Sequence, residues 1–485
     1  MKTGYIKKDQ RKKILLLCDD IRMHSGISTM AREIVLGTAH KYNWVNIGGA
    51  INHPDQGKRF DLTADVNKEV GIDDSSVTIY PMSGYGDQVS VTQIMEIEKP
   101  DAIMMFTDPR YWVWLFNMEH EIRTKIPMVY LNIWDDLPYP MYNKSFYESC
   151  DTLLAISKQT ENINKVVLGD LANDKVIKYV PHGINEKYFF PITQDKPEYL
   201  SLQELKKQVY GDKEYDFTLL YNARNIRRKS VPDLMLAWKM FVDELPEDKA
   251  SKTAFVLHTQ PIDENGTDLF AVKDMLFGNE KKYNIIFSSA KLATPQLNLL
   301  YNTADAVALV SSNEGWGLSL TEAMMCGKPI IATVTGGMQD QMRFEDENGE
   351  WIKFTEEFGS NHKGKYKKHG KWAYPVFPSN TSLIGSVPTP YIYDDRAQPE
   401  DIAKAINDVY NTKLESPETY AEQSKAAHEW VTSEESMMSA KHMADNFIEG
   451  MEETFEKWIP RKPFELIKVK QLPQPKHYVK HSIAK

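Results

Sequence analysis

Short, wholly apolar runs alternate with amphipathic stretches along most of the chain. Residues 14–18 read ILLLC. A run with no polar alternation is expected for a strand buried on both faces of a parallel sheet. It stops at Asp19-Asp20, a Gly-containing loop follows, and helical spacing covers 29–36. Similar runs recur at 44–50, 77–82, 101–107, 127–134 and 152–157, with helical stretches between several of them. Such alternation predicts a doubly wound α/β domain.

The rhythm then restarts. Residues 176–191, VIKYVPHGINEKYFFP, carry the Pro and Gly punctuation of a boundary. Strand-like runs follow at 217–224, 253–260, 283–289, 306–312 and 329–334, and helical spacing at 201–209, 231–243, 295–303 and 318–326. The expected organisation is two tandem Rossmann-like domains, 1–185 and 186–445. Residues 446–485 are expected to form a C-terminal helix and a basic tail, with the helix packing back on the first domain. Residues 343–392 break the pattern and read as an insertion, after which helical spacing resumes from 399 to about 410.

Composition narrows the function classes. A chain of 485 residues exceeds a single core. At 42% hydrophobic and 26% charged it is ordinary for a soluble globular protein. The formal net charge of −10 repels nucleic acid and anionic membrane unless a local basic patch intervenes. Cys18, Cys150 and Cys326 have no CxxC spacing, which argues for a reducing compartment and against a disulfide framework or a zinc site. No signal peptide is read at the N-terminus, and no stretch approaches the ~18–20 apolar residues of a membrane span. The expected location is the cytoplasm.

The chemistry concentrates at 311–329, SSNEGWGLSLTEAMMCGKP. A buried strand precedes it, and an amphipathic helix closed by Gly327 follows. Glu314 therefore falls in a strand-to-helix loop at the carboxyl edge of the sheet, where open α/β folds bind ligands. Gly315 and Gly317 let the backbone approach a ligand, and the amides opening the helix can cradle an anion. Glu322, just over one turn into the helix, can look back toward the same ligand. Phosphates suit the amides and hydroxyls suit the carboxylates. The ligand that combines them is a nucleoside diphosphate sugar, with a UDP-sugar the first choice.

The stretch 302–337, NTADAVALVSSNEGWGLSLTEAMMCGKPIIATVTGG, resembles the E-x7-E signature of retaining glycosyltransferases of the GT-B fold, in particular glycosyltransferase family 4. That resemblance implies two Rossmann-like domains facing across a cleft. LLYNARNIRRKSVPDLMLAW (219–238) is similar to the family's "GR…KG…L…A" stretch: Arg224 and Lys229 match its basic pair, Ala223 and Ser230 replace its glycines, and Arg227 and Arg228 leave the register open by a position or so. Two fixed cations there would stabilise the charge growing on the leaving phosphate. MHSGIS (23–28) resembles the glycine-rich loop after the first strand, with Gly26 as its clear match and His24 and Ser25 beside it. VPHGINEKYFFP resembles the interdomain "PNG…F.P" segment, with His182 in the Asn position, and is read as a hinge landmark. Where many relatives carry a His, this chain has NIWDDLPYP, placing Trp134, Asp135 and Asp136 on the acceptor side.

The resemblance thus implies a hexosyl- or pentosyltransferase with catalytic Glu314, Arg224 and Lys229. Donor contacts are expected at Gly26, Gly315, Trp316, Gly317, Leu318 and Glu322, and acceptor contacts at His24, Ser25, Trp134 and Asp135. No Asp-x-Asp is placed to hold a metal, so metal independence and no cofactor are expected. The acceptor is least specified. HKGKYKKHGKW (362–372), with Tyr366 and Trp372 interleaved, and the tail 457–485 are basic segments of the kind that track phosphates and stack on bases. The Tyr/Asn/Lys-rich style also resembles enzymes encoded by tailed phages, some of which glycosylate hydroxymethylated cytosine in DNA. The leading acceptor is therefore 5-hydroxymethylcytosine in phage DNA, in the host cytoplasm. The alternatives are a glycan, protein or lipid acceptor, or a GT-B protein that binds a sugar nucleotide without transferring it. The aromatic run 108–125 is the one candidate for a membrane-facing helix, and its pattern favours core.

Overall fold

The computed structural model describes residues 4–465. Its first domain is an eight-stranded sheet in the order β3-β4-β2-β1-β5-β6-β7-β8. The strands are β1 (Lys12–Asp19), β2 (Tyr42–Gly49), β3 (Phe60–Asp61), β4 (Val77–Pro81), β5 (Ala102–Phe106), β6 (Met128–Asn132), β7 (Thr152–Ala155) and β8 (Val176–Tyr179). All neighbours are parallel except β3 with β4. β1 shows why the apolar runs become central strands: Ile14, Leu15, Leu16, Leu17 and Cys18 are all fully buried, alternately facing one core and the other. The first helix, α1 (Gly26–Thr38), begins earlier than its apolar spacing predicts, because Ser25 caps it by accepting from the Ser28 amide.

The second domain is a six-stranded parallel sheet in the order β11-β10-β9-β12-β13-β14. Its strands are β9 (Phe217–Asn222), β10 (Thr253–His258), β11 (Ile285–Ser288), β12 (Ala306–Leu309), β13 (Ile330–Thr333) and β14 (Ala373–Val376). Two Rossmann-like domains facing across a cleft make this a GT-B fold. The helices that matter for the cleft are α2 (Val231–Asp243) and α3 (Leu318–Met325).

The chain crosses between domains twice, side by side. Ile184 donates its amide to Met438 O, and Ala440 donates back to Ile184 O, each at 2.9 Å. A Cβ on Gly183 would lie 2.2 Å from Ser439 O, so that approach requires glycine. The helix expected within 446–485 starts earlier, as α4 (Ala440–Lys457), and packs on the first domain. Phe447 meets the rings of Tyr42 and Trp44, and the Thr152 and Thr454 hydroxyls are 2.6 Å apart. Of the basic tail, Arg461 pairs with Glu119 at 2.9 Å, and residues 466–485 lie outside the described residues.

Residues 343–392 are not a simple insertion. Their AYPV segment is β14, which completes the sheet edge beside β13; its central Pro hid it from the strand pattern. The hairpin β15 (Asn380–Ser386) and β16 (Thr389–Arg396) follows. The basic segment 362–372 is also corrected. Trp372 is buried and stacked on Trp430, with ring centroids 5.6 Å apart, and Tyr366 is half-buried against His362. Neither ring is presented for stacking on bases, because each covers apolar surface of its own domain. Lys363, Lys365, Lys367, Lys368 and Lys371 remain exposed. Trp112, Leu115, Phe116 and Ile122 of the aromatic run are core, as its pattern favoured. Among the described residues no helix is long and apolar enough to cross a membrane.

Candidate active site

A cavity of about 1080 Å³ lies between the two domains. Its second-domain wall is the loop between β12 and α3. Gly317 opens that helix at φ +86, a left-handed conformation, and a Cβ there would also press Leu309 at 3.0 Å. Gly336 and Gly337 back the loop so closely that a Cβ on either would lie 2.1 Å from the carbonyl oxygen of Glu314 or Gly315. Trp316 is buried, donates to Thr321 Oγ1 at 2.9 Å and packs near the ring of His182. Leu318 faces the first domain: a Cβ on Gly26 would meet its Cδ1 at 3.3 Å. The first amides of α3 have no intrahelical acceptor and open toward the cavity.

Glu314 is buried, and three donors converge on a single carboxylate oxygen. Arg228 reaches Oε2 at 2.8 Å, Ser311 Oγ reaches it at 3.1 Å, and the Lys229 ammonium closes on the same atom. The described residues place no hydrogen bond on Oε1. Burial alone would raise this carboxyl; the Arg228 guanidinium and Lys229 ammonium outweigh it and hold it at about 2, so Glu314 is ionised at neutral pH. Burial depresses Lys229, opposed by Glu314. The loops carrying these charges are tied together, since the Ser312 amide donates to Arg228 O at 2.7 Å. Ser230, where the related motif carries Gly, adopts φ +49 and lets the chain turn into α2.

Arg224 lies elsewhere. It sits at the cavity rim, largely exposed, with its guanidinium held by Asp263 at 2.6 Å. Arg228 takes the place beside Glu314 that the motif match gave to Arg224. The signal was present as a third basic residue in the stretch, but the turn at 227–229 decides which of them reaches Glu314. Glu322 is set back from the wall. Its Oε2 accepts from the Tyr301 hydroxyl at 2.5 Å, and Asn222, which does line the cavity, donates to that hydroxyl at 2.7 Å. Burial pushes the Glu322 carboxyl up to about 7, against the Tyr301 hydrogen bond.

On the first-domain side, Ser25, Gly26, Trp134 and Asp135 line the cavity, whereas His24 is exposed and does not. The Ser25 hydroxyl donates to Asp19 at 2.5 Å while capping α1. Trp134 is nearly buried, with Arg110 over its ring at 5.4 Å. Asp136, beside Asp135, also lines the cavity. So does His182, read from sequence as a hinge landmark; burial pulls it down to about 3, leaving it neutral, and its Nδ1 is buried without a partner. Among the described residues no three His, Cys, Asp or Glu side chains are grouped to hold a metal ion.

Residues 202–359 match the family model "Glycosyl transferases group 1". Among curated proteins, alpha-monoglucosyldiacylglycerol synthase of Acholeplasma laidlawii is 25% identical over 190 residues, 39% of this chain and 43% of that protein, so the match spans less than half of that relative. Trehalose synthase of Thermococcus litoralis is 20% identical over 307 residues, 62% of this chain and 68% of that protein. Among solved structures, Anabaena Alr3699/HepE in complex with UDP and glucose superimposes with a TM-score of 0.62 at 14% identity, covering 91% of this chain and all of that one. Sucrose-phosphate synthase of Thermosynechococcus elongatus gives a TM-score of 0.62 at 14% identity, over 92% of this chain and all of that one. At these identities the superpositions establish the fold.

Proposed function

We propose that the protein is a retaining glycosyltransferase that moves a sugar from a nucleoside diphosphate sugar, UDP-glucose being the first donor to test, onto an acceptor hydroxyl. The observation that carries this is Glu314. Its Oε2 is pinned by Arg228, Lys229 and Ser311, while Oε1 is left to the cavity. A carboxylate so fixed can accept from a hydroxyl of the transferred sugar, and the two cations beside it can meet a diphosphate. UDP and glucose in the Anabaena structure, and the group 1 match across 202–359, support the same donor class.

In the reaction the anomeric C–O bond to the β-phosphate breaks. The acceptor oxygen bonds the anomeric carbon on the same face, and the acceptor proton passes to the departing phosphate oxygen. Lys229 and Arg228 stabilise the charge that grows on that phosphate, with Arg224 at the rim. Gly315–Leu318 supply backbone contacts and Gly26 leaves room for the donor. Glu322 is assigned the ribose, which it reaches when the Tyr301 hydroxyl yields its place on Oε2. Its ionised form is the better acceptor for ribose hydroxyls, so UDP-glucose affinity is expected to fall as the pH drops below about 7. Calorimetry between pH 5.5 and 7.5 reads this directly, and a flat profile would remove Glu322 from the ribose.

No metal enters this scheme. EDTA is expected to leave the rate unchanged; loss of activity with recovery on adding Mn²⁺ would overturn metal independence. The primary test is UDP release from UDP-glucose, with product mass and anomeric configuration read after acceptor addition. Binding without release or transfer would favour a sugar-nucleotide-binding protein instead. For the acceptor, 5-hydroxymethylcytosine in DNA has only the five exposed lysines at 363–371 to draw on, and these lie off the cavity wall, so a glycan or polyol hydroxyl is the preferred acceptor.

A further inference from the structure

The cavity extends from the donor wall to a second end. Asp108, Arg110 and residues 134–136 of the first domain form one side of it, and the hairpin β15–β16 of the second domain forms the other. The hairpin crosses the cleft and is fastened there. The Tyr393 amide donates to Leu137 O at 2.5 Å, the Tyr142 hydroxyl to Tyr391 O at 3.0 Å, and Arg110 to Pro388 O at 2.9 Å. At its base the Asp395 amide donates to Ser312 O at 2.9 Å, two residues from Glu314. The hairpin therefore walls a space that adjoins the reacting end of the donor.

The charges at this end are unevenly matched. Arg110 is held by Asp108 at 2.8 Å, and Arg396 by Asp394 at 2.7 Å. Asp135 and Asp136 have no such partner among the described residues, and one carboxylate oxygen of Asp136 is buried without a hydrogen bond. The charges that act on the pair are Arg228 and Lys229 on the donor side, Glu314, Asp394, Asp395 and each other. Burial pushes Asp135 up to about 6, and burial with its neighbour Asp135 pushes Asp136 well above the usual carboxylate range. A phosphate entering here would face buried carboxyls and arginines already neutralised. A hydroxyl, by contrast, can donate to one carboxylate and accept from a protonated neighbour. The side chains of Trp134, Ile384 and Ile392 along the cavity wall offer apolar surface to a sugar.

We propose that the hairpin and the Asp135-Asp136 loop build an acceptor subsite for a neutral polyhydroxylated molecule, a sugar or polyol, and that it excludes phosphorylated acceptors. This rests on the glycosyl-transfer reading and assigns the hairpin a role in acceptor choice. The test measures UDP release and product mass with UDP-glucose and three acceptor sets. These are glucose, maltose and glycerol; glucose 6-phosphate and glycerol phosphate; and a DNA oligonucleotide containing 5-hydroxymethylcytosine. Neutral acceptors are expected to be glycosylated and the anionic ones not. Asp135→Asn, which removes the ionised acceptor of the pair, and Ser386→Trp on the exposed hairpin where folding is not at stake, should each raise the acceptor KM about tenfold, the worth of one lost hydrogen bond or blocked contact, with UDP-glucose Kd within about threefold. Equal or better use of the phosphorylated sugars or the DNA overturns the proposal. So does UDP-glucose binding with no response to any acceptor, or an acceptor KM unmoved in both variants. Failure of the wild type to bind UDP-glucose would instead overturn the donor reading and the subsite with it, so calorimetry separates the two failures.

Discussion

Replacing Glu314 by glutamine is expected to lower kcat by about 10²–10³-fold, the usual worth of one fixed group that meets the transition state. The amide keeps the volume of the side chain and removes its charge. Arg228 and Lys229 then lose the carboxylate that aligns them, and Oε1 is no longer a certain acceptor for a sugar hydroxyl. Stability should fall as well, by up to ~3 kcal/mol, because Lys229 is as buried as Glu314 while Arg228 stays hydrated on its cavity side. Steady-state UDP release and a denaturant melt read the two effects separately. Full activity in this variant would remove Glu314 from the mechanism.

The second large effect discriminates between two cations. Lys229→Ala is expected to cost about 10²-fold or more in kcat/KM, since a desolvated ammonium beside a departing phosphate stabilises charge that water cannot reach. Arg224→Ala is expected to cost about tenfold or less: its guanidinium is at the rim, largely exposed and occupied by Asp263, so solvent screens it. Comparing both with Arg228→Ala in one UDP-release assay tests the order. If Arg224→Ala proved the most damaging of the three, the rim arginine would have to swing inward on donor binding, and the geometry around Glu314 would be that of a resting state.

How far the sequence reached can be seen at particular residues. β1 and β12 were legible because a strand buried on both faces must be apolar throughout. Glu314 was legible because a carboxylate between glycines, after such a strand and before a helix, falls at the sheet's carboxyl edge whatever surrounds it. β14 was not, because four residues with a central Pro carry no period. Trp372 looked like a stacking platform because its neighbours in sequence are lysines. Its neighbour in space is Trp430, which no local pattern reports.

The chain by itself thus determined two α/β domains, the order of their elements, and the strand-loop-helix that carries Glu314, all consequences of local periodicity and backbone chemistry. Tertiary structure alone decided that Arg228 rather than Arg224 meets Glu314, because the Arg228 carbonyl is anchored to the Ser312 amide more than eighty positions along. It also decided that residues 380–396 cross the cleft to Arg110, Leu137 and Tyr142. Contacts of that separation are set by how two domains pack, and packing distributes its signal over many residues rather than writing it into any one stretch.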